Sequence, residues 1–301
     1  MDLRILTVPL DAGRHEERMG RGPGALLRAG LADRLRAMGH AVEQEEVAPD
    51  EAGSAFRTEV ATSFSLWARL MRSVEESRRR GEMPVVLTGN CGAALGVVGG
   101  LIAASDRPAA RLGVVWMDAH GDFNTPDTSA SGFLDGMSLA ALVGRCWRTL
   151  TQRTPGIAIP EANVAHLGAR DLDPAEEDAF AASAIARLDV RGLREGAGLT
   201  ALLAELGGRV DALYLHVDLD VLDPREAPAN TFVLPAGAAG EAPPGTDGLT
   251  ADELVRIVGE IAAAIPVEAV TLSAYDPAAD AGGRIPPIAA RALQAVLAVA
   301  S

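Results

Sequence analysis

An apolar run changes abruptly into a cluster of potential metal ligands within the stretch Val114-Val115-Trp116-Met117-Asp118-Ala119-His120-Gly121-Asp122-Phe123-Asn124. Asp118, His120 and Asp122 are spaced two residues apart, so on an extended backbone their side chains point to the same side. A second apolar run ends in the same way at Asp218 and Asp220. Because parallel α/β sheets place their sites at the carboxyl ends of strands, the sequence predicts that two strands bring these side chains together.

Apolar segments with strand character alternate along the chain with segments of helical periodicity. Strands are predicted at residues 3–9, 84–87, 114–117, 164–168, 212–217 and 269–273, and helices at residues 22–38, 58–80, 93–104, 136–150, 200–206 and 288–298. This alternation indicates a mostly parallel sheet covered by helices on both faces. We therefore predict an α/β fold, a single three-layer α/β/α domain over residues 1–301.

Two local patterns add to this prediction. Thr250 and Glu253 have the spacing of a capping box, which predicts the start of a further helix. Residues 225–248 are rich in Pro, Gly and Ala and predict an irregular loop. Irregular loops of this length are commonly functional or mobile.

The composition is typical of a folded globular protein. The chain has 301 residues, of which 48% are hydrophobic and 23% charged. Its formal net charge is −14 at pH 7, and the sequence pI is near 4.8. Such a surface repels polyanions, so we expect the protein to bind neither nucleic acid nor anionic membranes.

Cysteine usage and the amino terminus bear on the compartment. The two cysteines, Cys91 and Cys146, are too few for a disulfide framework and are typical of a reducing environment. The first apolar run is too short for a signal peptide, and no run of about 18 apolar residues predicts a transmembrane helix. We therefore expect a cytoplasmic protein.

The two ligand clusters contain more carboxylates than one buried site tolerates without cations, because unpaired buried charge is very costly. Carboxylates together with imidazole suit divalent metals such as Mn²⁺, and two metals that share bridging aspartates would use all these ligands. A single aspartate at a strand end is more often a cap or a solvated loop residue. Two such clusters in one chain favour a metal site.

These clusters also carry a resemblance to the arginase family, also called ureohydrolases. The family's two signatures are similar to Asp118-Ala119-His120-Gly121-Asp122-Phe123-Asn124 and Val217-Asp218-Leu219-Asp220-Val221-Leu222-Asp223-Pro224. The resemblance implies an arginase-like fold with a centre of two Mn²⁺ ions bound by Asp118, His120, Asp122, Asp218 and Asp220. It also implies hydrolysis of a guanidino C–N bond by a hydroxide between the metals. On physical grounds, Asp122 or its neighbours could hold that hydroxide in line with the trigonal carbon.

One metal-ligand position departs from the family pattern. Arginases have Gly-Gly-Asp-His before the first signature, whereas this chain has Thr88-Gly89-Asn90-Cys91, so Cys91 replaces a histidine ligand. A thiolate can coordinate these metals, and we expect Cys91 to do so. The alternative is a small buried thiol beside a lost ligand. Sulfur coordination would also favour Fe, Co, Ni or Zn over Mn²⁺.

A second departure is Asp135, which stands where arginases have a histidine thought to shuttle protons. An aspartate with the usual pKa of about 3.9 is a poor acid at neutral pH, so a catalytic role requires a raised pKa. The alternative is that Asp135 caps the helix that begins at Gly136.

A third departure is Ala274, which occupies the position of the guanidinium-binding glutamate of arginases. Loss of that carboxylate weakens recognition of a fully charged guanidinium. Asp276 or Glu241 could replace it, but no sequence pattern establishes either.

The family residues that bind the amino-acid end of arginine are retained. Asn124, Ser129 and Ser131 match those that contact the α-carboxylate, and Asp173 matches the residue that contacts the α-amino group. Ordinary turn chemistry explains each residue alone equally well. Together they favour an L-amino acid with an amidine-like side chain as the small-molecule substrate.

These features favour a metal-dependent amidinohydrolase whose best single substrate is N-hydroxy-L-arginine, cleaved to hydroxyurea and L-ornithine. In this the chain resembles the hydroxyarginase branch of the family. A degenerate homologue that binds metal or ligand without turnover is one alternative, and a hydrolase for guanidino acids without an α-amino group is another. We expect a monomer or a small homo-oligomer.

Overall fold

The structure is a computed structural model that describes residues 1–48, 58–106, 108–151, 158–231 and 247–299. Its strands are β1 (Asp2–Val8), β2 (Leu10–Asp11), β3 (Arg14–His15), β4 (Ala41–Glu46), β5 (Met83–Thr88), β6 (Leu112–Met117), β7 (Val164–Leu167), β8 (Ala186–Leu188), β9 (Ala212–Asp218) and β10 (Val267–Ser273). Its α-helices are α1 (Gly22–Arg28), α2 (Leu31–Ala37), α3 (Glu59–Arg79), α4 (Ala94–Ala103), α5 (Ser138–Leu142), α6 (Arg148–Thr151), α7 (Pro174–Ala181), α8 (Val190–Glu195), α9 (Ala197–Gly207), α10 (Ala251–Ala264) and α11 (Ile285–Leu297).

Eight of the strands form one sheet in the order β4-β1-β5-β10-β9-β6-β7-β8, and every neighbouring pair is parallel. β5, β6 and β9 are buried along their whole length, as expected for strands covered on both faces. Because all eight strands run in one direction, the residues that follow β5, β6, β9 and β10 lie together at one edge.

Helices cover both faces of the sheet and complete the three predicted layers. On one face, α1, α2, α9, α10 and α11 form a core with side chains such as Leu35 and Leu254. On the other face, α3, α4, α5 and α7 contribute side chains such as Leu70 and Val97 to a second core. The predicted three-layer α/β/α fold is confirmed.

Two segments that were each predicted to be one helix form two shorter helices in the structure. The helix expected at residues 22–38 is divided into α1 and α2 at Gly30, whose φ of +85° ends a helix. The helix expected at residues 136–150 is divided into α5 and α6, with Gly144 at φ +80° between them. In both cases the apolar periodicity continues across a glycine that turns the backbone.

Two edge strands were missed. β4 has the sequence Ala-Val-Glu-Gln-Glu-Glu, and most of its residues are exposed. β8 is three residues long and half-buried. Polar, short edge strands lack the apolar run by which buried strands are recognised, and they protect a sheet against pairing with other chains.

The capping box at the start of α10 is confirmed. The backbone N–H of Glu253 donates to Thr250 Oγ1 at 3.2 Å, and that of Thr250 donates to Glu253 Oε2 at 2.9 Å. Residues 232–246 of the predicted long loop lie outside the described residues. Within the described ranges, no helix is both long enough and apolar enough to cross a membrane.

Candidate active site

The two predicted ligand clusters meet at the carboxyl edge of the sheet. The first cluster follows β6 and the second follows β9, which is paired with β6 in parallel register. The turn that contains Cys91 follows β5 and lies beside them. A cavity of about 250 Å³ opens above these residues. It is lined by Met19, Cys91, His120, Asp122, Asn124, Ser129, Ser131, Phe133, Asp135, Gly136, Asp171, Asp173, Glu176, Asp218, Asp220, Asn230 and Ala274.

Potential ligand atoms form two groups that share Asp118. One atom from each of Cys91, Asp118 and Asp122 lies within 4.8 Å of the other two. The same limit holds for Asp118, His120 and Asp220. A carboxylate common to two groups is the arrangement expected for a bridging ligand between two metal ions.

Neighbouring groups hold the shared carboxylate in place. Trp116 Nε1 donates to Asp118 Oδ2 at 3.1 Å, and the backbone N–H of His120 donates to Asp118 Oδ1 at 2.8 Å. The backbone N–H of Asp220 in turn donates to Asp218 Oδ1 at 2.8 Å. Hydrogen bonds of this kind orient metal ligands in proteins.

Asp122 is the ligand candidate with the least protein support. Its Oδ2 atom is buried and has no hydrogen-bond partner among the described residues. Its backbone is held in the left-handed region, with φ +49°, and its carbonyl accepts from Leu139 and Ala140 N–H. A buried carboxylate oxygen without a donor is costly unless a cation binds it, so the site fits a metal.

The electrostatics also favour cations. Burial, and then the neighbouring carboxylate of Asp220, raises the pKa of Asp118. Burial and the nearby Asp118 raise the pKa of Asp122 well above its usual value. Burial acts to raise the pKa of Asp220 as well, but His120 beside it lowers that pKa overall. Divalent cations would remove this repulsion.

Cys91 lies in the centre of the cluster. Its side chain is 2% exposed, and its thiol donates to Asp218 Oδ2 at 3.0 Å. Burial, and then the charge of Asp218, raises the pKa of the thiol well above its usual value. A divalent cation reverses this preference because it binds the thiolate.

Asp135 contacts the Cys91 turn instead of capping its own helix. Its Oδ1 accepts from the backbone N–H of Gly92 at 2.9 Å, and its Oδ2 accepts from Asn90 Nδ2 at 2.9 Å. Its carboxylate accepts no cap hydrogen bond from the helical turns that begin at residues 135 and 138. Burial raises the pKa of Asp135 to about 6, against these hydrogen bonds, which lower it. The upward shift required of an acid is therefore present.

The predicted substrate-binding residues lie together at the rim of the cavity. Asn124 Nδ2 donates to Asp173 Oδ2 at 2.9 Å. Ser129 is half-buried and Ser131 exposed, with their hydroxyl oxygens 3.4 Å apart. They accept from the backbone N–H groups of Gly132 and Phe133, and one hydroxyl can donate to the other, which leaves at least one hydroxyl proton for another acceptor.

Sequence reasoning missed Asn230. It is 1% exposed, and its Nδ2 donates to Asp220 Oδ2 at 3.0 Å and to the Ala274 carbonyl at 3.1 Å. Asn230 follows the second signature by ten residues and has no motif of its own. Asp276, one of the substitutes considered for Ala274, is not among the residues that line the cavity, and its Oδ1 accepts from Ala278 N–H at 2.9 Å. Glu241, the other substitute, lies outside the described residues.

Two further residues were missed that support the loops around the cavity. Arg170 Nη2 donates to the carbonyl of Asp220 at 2.6 Å, which ties the loop after β7 to the second ligand cluster. Glu176 accepts from the backbone N–H of Phe123 at 2.9 Å and from that of Asp173 at 3.0 Å. Arg170 precedes α7, and Glu176 lies in its first turn. Both follow the strand predicted at residues 164–168, and that strand end could have directed a search to them.

Comparisons with known proteins identify the family and the fold. The family model described as the Arginase family matches residues 1–298. The arginase of Bacillus caldovelox is 32% identical over 240 residues, covering 75% of this chain and 78% of that protein. Its native crystal structure at pH 5.6 superimposes with a TM-score of 0.83 at 27% identity, covering 98% of this chain and 97% of that chain. Formimidoylglutamase of Bacillus subtilis, at 20% identity and a TM-score of 0.73, covers 99% and 87% and shares the fold.

The chain therefore belongs to the arginase family. Membership of this family implies a metal-dependent hydrolase, and the clustered Cys, His and Asp side chains are capable of binding metal.

Proposed function

We propose that the protein hydrolyses the guanidino C–N bond of an arginine-like L-amino acid, with N-hydroxy-L-arginine as its preferred substrate and hydroxyurea and L-ornithine as products. The observation that carries this proposal is the uncharged wall formed by Ala274 and Asn230 beside Asp220. A strongly basic guanidinium gains little binding energy from this wall, because the wall has no carboxylate. An N-hydroxyguanidine is less basic and needs no carboxylate partner.

The orientation of the Asn230 amide follows from its partners. Both Asp220 Oδ2 and the Ala274 carbonyl are acceptors, so the amide NH₂ must face them. Asn230 and Ala274 therefore present an amide and a methyl group, and no charge, to this part of the cavity.

The metal centre is proposed to consist of two Mn²⁺ ions held by Cys91, Asp118, His120, Asp122, Asp218 and Asp220, with other divalent transition metals accepted because of the sulfur. Divalent cations held by these residues would supply hydroxide near neutral pH, because they would lower the pKa of water. Asp122 orients the attacking oxygen towards the trigonal carbon. Asp135, held by Asn90 and Gly92, donates a proton to the leaving amine.

The rim supplies recognition of the amino-acid end. Ser129 and Ser131 point hydroxyl protons to the α-carboxylate, with Asn124 beside them, and Asp173 accepts from the α-ammonium group. Because Asn124 donates to Asp173, the two subsites are fixed relative to one another. The resulting distance between rim and metal cluster selects the length of the side chain.

Steady-state kinetics with manganese-loaded protein test the proposal. The panel contains N-hydroxy-L-arginine, L-arginine, agmatine and 4-guanidinobutyrate, and ornithine or the corresponding amine is quantified. We expect kcat/KM to be highest for N-hydroxy-L-arginine, by at least about 10-fold over L-arginine, which corresponds to ~1.4 kcal/mol of transition-state stabilisation. Ala274→Glu should reduce this ratio. Preference for L-arginine in the unmodified protein would overturn the choice of substrate.

The three departures Cys91, Asp135 and Ala274 favour one other function, a homologue that binds metal or ligand without turnover. Calorimetric binding of arginine analogues with no product formed would support it. For a guanidino-acid hydrolase, Asp173→Ala would leave kcat/KM unchanged, whereas we expect a large loss. A cytoplasmic location and a monomer or small homo-oligomer remain predictions.

A further inference from the structure

A row of buried polar side chains extends from Cys91 into the sheet. Cys91 Sγ lies 3.3 Å from Ser273 Oγ, which lies 3.1 Å from His216 Nε2. On its other side, His216 Nδ1 lies 2.9 Å from the Tyr214 hydroxyl, which donates to Thr271 Oγ1 at 2.8 Å. All five side chains are buried. Polar groups are placed at such depth only when they are hydrogen-bonded, and here each has its neighbour in the row.

The imidazole of His216 connects this row to the shared metal ligand. Its ring stacks on that of Trp116, with the centroids 3.8 Å apart. Trp116 in turn donates to Asp118 Oδ2. The position of His216 is therefore fixed from three directions by stacking and by hydrogen bonds to both ring nitrogens.

The direction of the hydrogen bonds in the row can reverse. Each hydroxyl donates once and accepts as well, and a neutral imidazole carries its proton on either nitrogen. The thiol of Cys91 now donates to Asp218 Oδ2. A metal-bound thiolate has released this proton to solvent and can only accept. Ser273 is then the hydroxyl in reach. Its nearest neighbour, His216 Nε2 at 3.1 Å, competes for the serine proton only when that nitrogen is unprotonated, and the acceptors Val217 O and Asp218 Oδ2 lie farther away, at 3.5 Å.

We propose that Ser273, oriented by His216, is a positioning residue that donates its hydroxyl proton to Cys91 Sγ when the thiolate holds metal. This inference rests on the proposed role of Cys91 as a ligand. The hydrogen bond fixes the sulfur in the cluster and withdraws electron density from it, as outer partners of metal ligands do. Ser273 and Cys91 act as a pair when the row runs in its reversed direction. Thr271 then donates to Tyr214, Tyr214 to His216 Nδ1 and His216 Nε2–H to Ser273, which leaves the serine proton for the sulfur.

Absorption spectroscopy of cobalt-substituted protein tests the pair. A cobalt–thiolate bond gives a sulfur-to-metal charge-transfer band whose energy rises when the sulfur accepts a hydrogen bond. We expect this band in the unmodified protein and its loss in Cys91→Ala. Ser273→Ala should shift the band to longer wavelength and raise the Kd for Co²⁺ by roughly 10-fold. Ser77→Ala, the same change at a buried serine in α3, should leave both quantities unchanged.

A matched pair keeps the test informative if Ser273→Ala does not fold. Ser273→Thr retains the hydroxyl and Ser273→Val removes it at nearly equal volume, so only the valine variant should show the shifted band. A band that does not move between threonine and valine overturns the role of Ser273 while Cys91 remains a ligand. Absence of the band from the unmodified protein removes both the ligand and the pair. Neither result depends on the substrate panel, so the hydrolytic proposal succeeds or fails separately.

Discussion

The two groups of potential ligands share Asp118 but lie in different surroundings. The group with Cys91 and Asp122 is fully buried, and Cys91 is 2% exposed. The group with Asp220 contains His120, whose side chain is 29% exposed and faces the cavity. The depth of the two groups differs because the Cys91 turn lies beneath α3, whereas His120 stands on the loop after β6. A metal ion held by the first group would therefore be more enclosed by protein than one held by the second, although Cys91 and Asp122 also line the cavity.

For the proposed site of two metal ions, this difference predicts two unlike positions. The softer ligand is placed in the enclosed group, where its proton is expensive to remove without metal. The imidazole is placed in the open group, where exchange with solvent is easiest. We expect one tightly held ion and one exchangeable ion.

The largest effect is expected from Asp118→Asn, because it weakens both groups at once. We expect a loss of kcat/KM of about 1000-fold or more, equivalent to ~4 kcal/mol, and less than one metal ion per chain by elemental analysis. Asp127→Asn, a change at an exposed residue outside the cluster, serves as the control. Retention of two ions by Asp118→Asn would show that the carboxylate is not shared.

The difference between the two groups is tested by removing one ligand from each. With a chelator, the unmodified protein should lose one ion rapidly and one slowly. His120→Asn should lack the rapid phase, and Cys91→Ala should lack the slow phase, with each affected Kd raised by roughly 100-fold. Loss of both ions at one rate from the unmodified protein would contradict the proposed asymmetry.

The enclosure of the Cys91 turn depends on Gly92. A Cβ atom at this position would overlap the ring of Trp67 in α3. Gly92→Ala should therefore reduce the free energy of unfolding by about 1–3 kcal/mol, as overpacking does, and accelerate the slow phase of metal loss. Urea denaturation measures the first quantity. Gly208→Ala, whose Cβ would meet only ordinary contacts, should change neither the free energy of unfolding nor the rate of metal loss. An unchanged stability of Gly92→Ala would mean that α3 can move to accommodate the Cβ atom.

The smallest effect is expected from a buried histidine on the strand next to β6, which leads to His120. His166 is fully buried on β7, next to β6, and its ring nitrogens have no hydrogen-bond partner among the described residues. Burial, and then the charge of Arg187, lowers the pKa of His166 to about 3. The neutral ring is thus favoured in the folded protein. The contribution of this neutral ring to the free energy of unfolding is complete above about pH 6.5, the pKa of histidine in the unfolded chain. It decreases as the pH falls towards 3.

His166→Phe removes this dependence. Between pH 6.5 and 5.5 the unmodified protein should lose about 1 kcal/mol more of its free energy of unfolding than the variant does. Denaturation of metal-free protein at both pH values measures the difference. His15→Gln, at an exposed position, should behave like the unmodified protein. Parallel pH profiles for all three proteins would show that His166 is protonated without cost.

The parts of the fold and site that sequence predicted are those with local signals. The ligand spacing of Asp118, His120 and Asp122 on a strand end is visible in five consecutive residues, and parallel strands carry such ends to one edge. The periodicity of apolar residues likewise predicts buried strands and amphipathic helices. The break at Gly30 was missed because periodicity does not report a left-handed backbone.

Other features depend on contacts between distant segments. Asn230 and Ser273 have no motif, and their roles follow only from partners at Asp220, Ala274 and Cys91. For Asp135 the sequence allowed a helix cap or an acid. The cap could be set aside only when its hydrogen bonds to Asn90 and Gly92 were seen.

The position of β10 in the sheet has a consequence for folding. It is the last strand of the described chain, yet it lies between β5 and β9, and Thr271 pairs with Val86 from the first third of the sequence. A nascent chain cannot complete the centre of the sheet until this strand has been synthesised. Pairing at such long sequence separation slows folding, because the loop-closure entropy is lost before the contacts form. Until then, Cys91 lacks its serine partner, so the surroundings of the thiol are completed only when the last described strand joins the sheet.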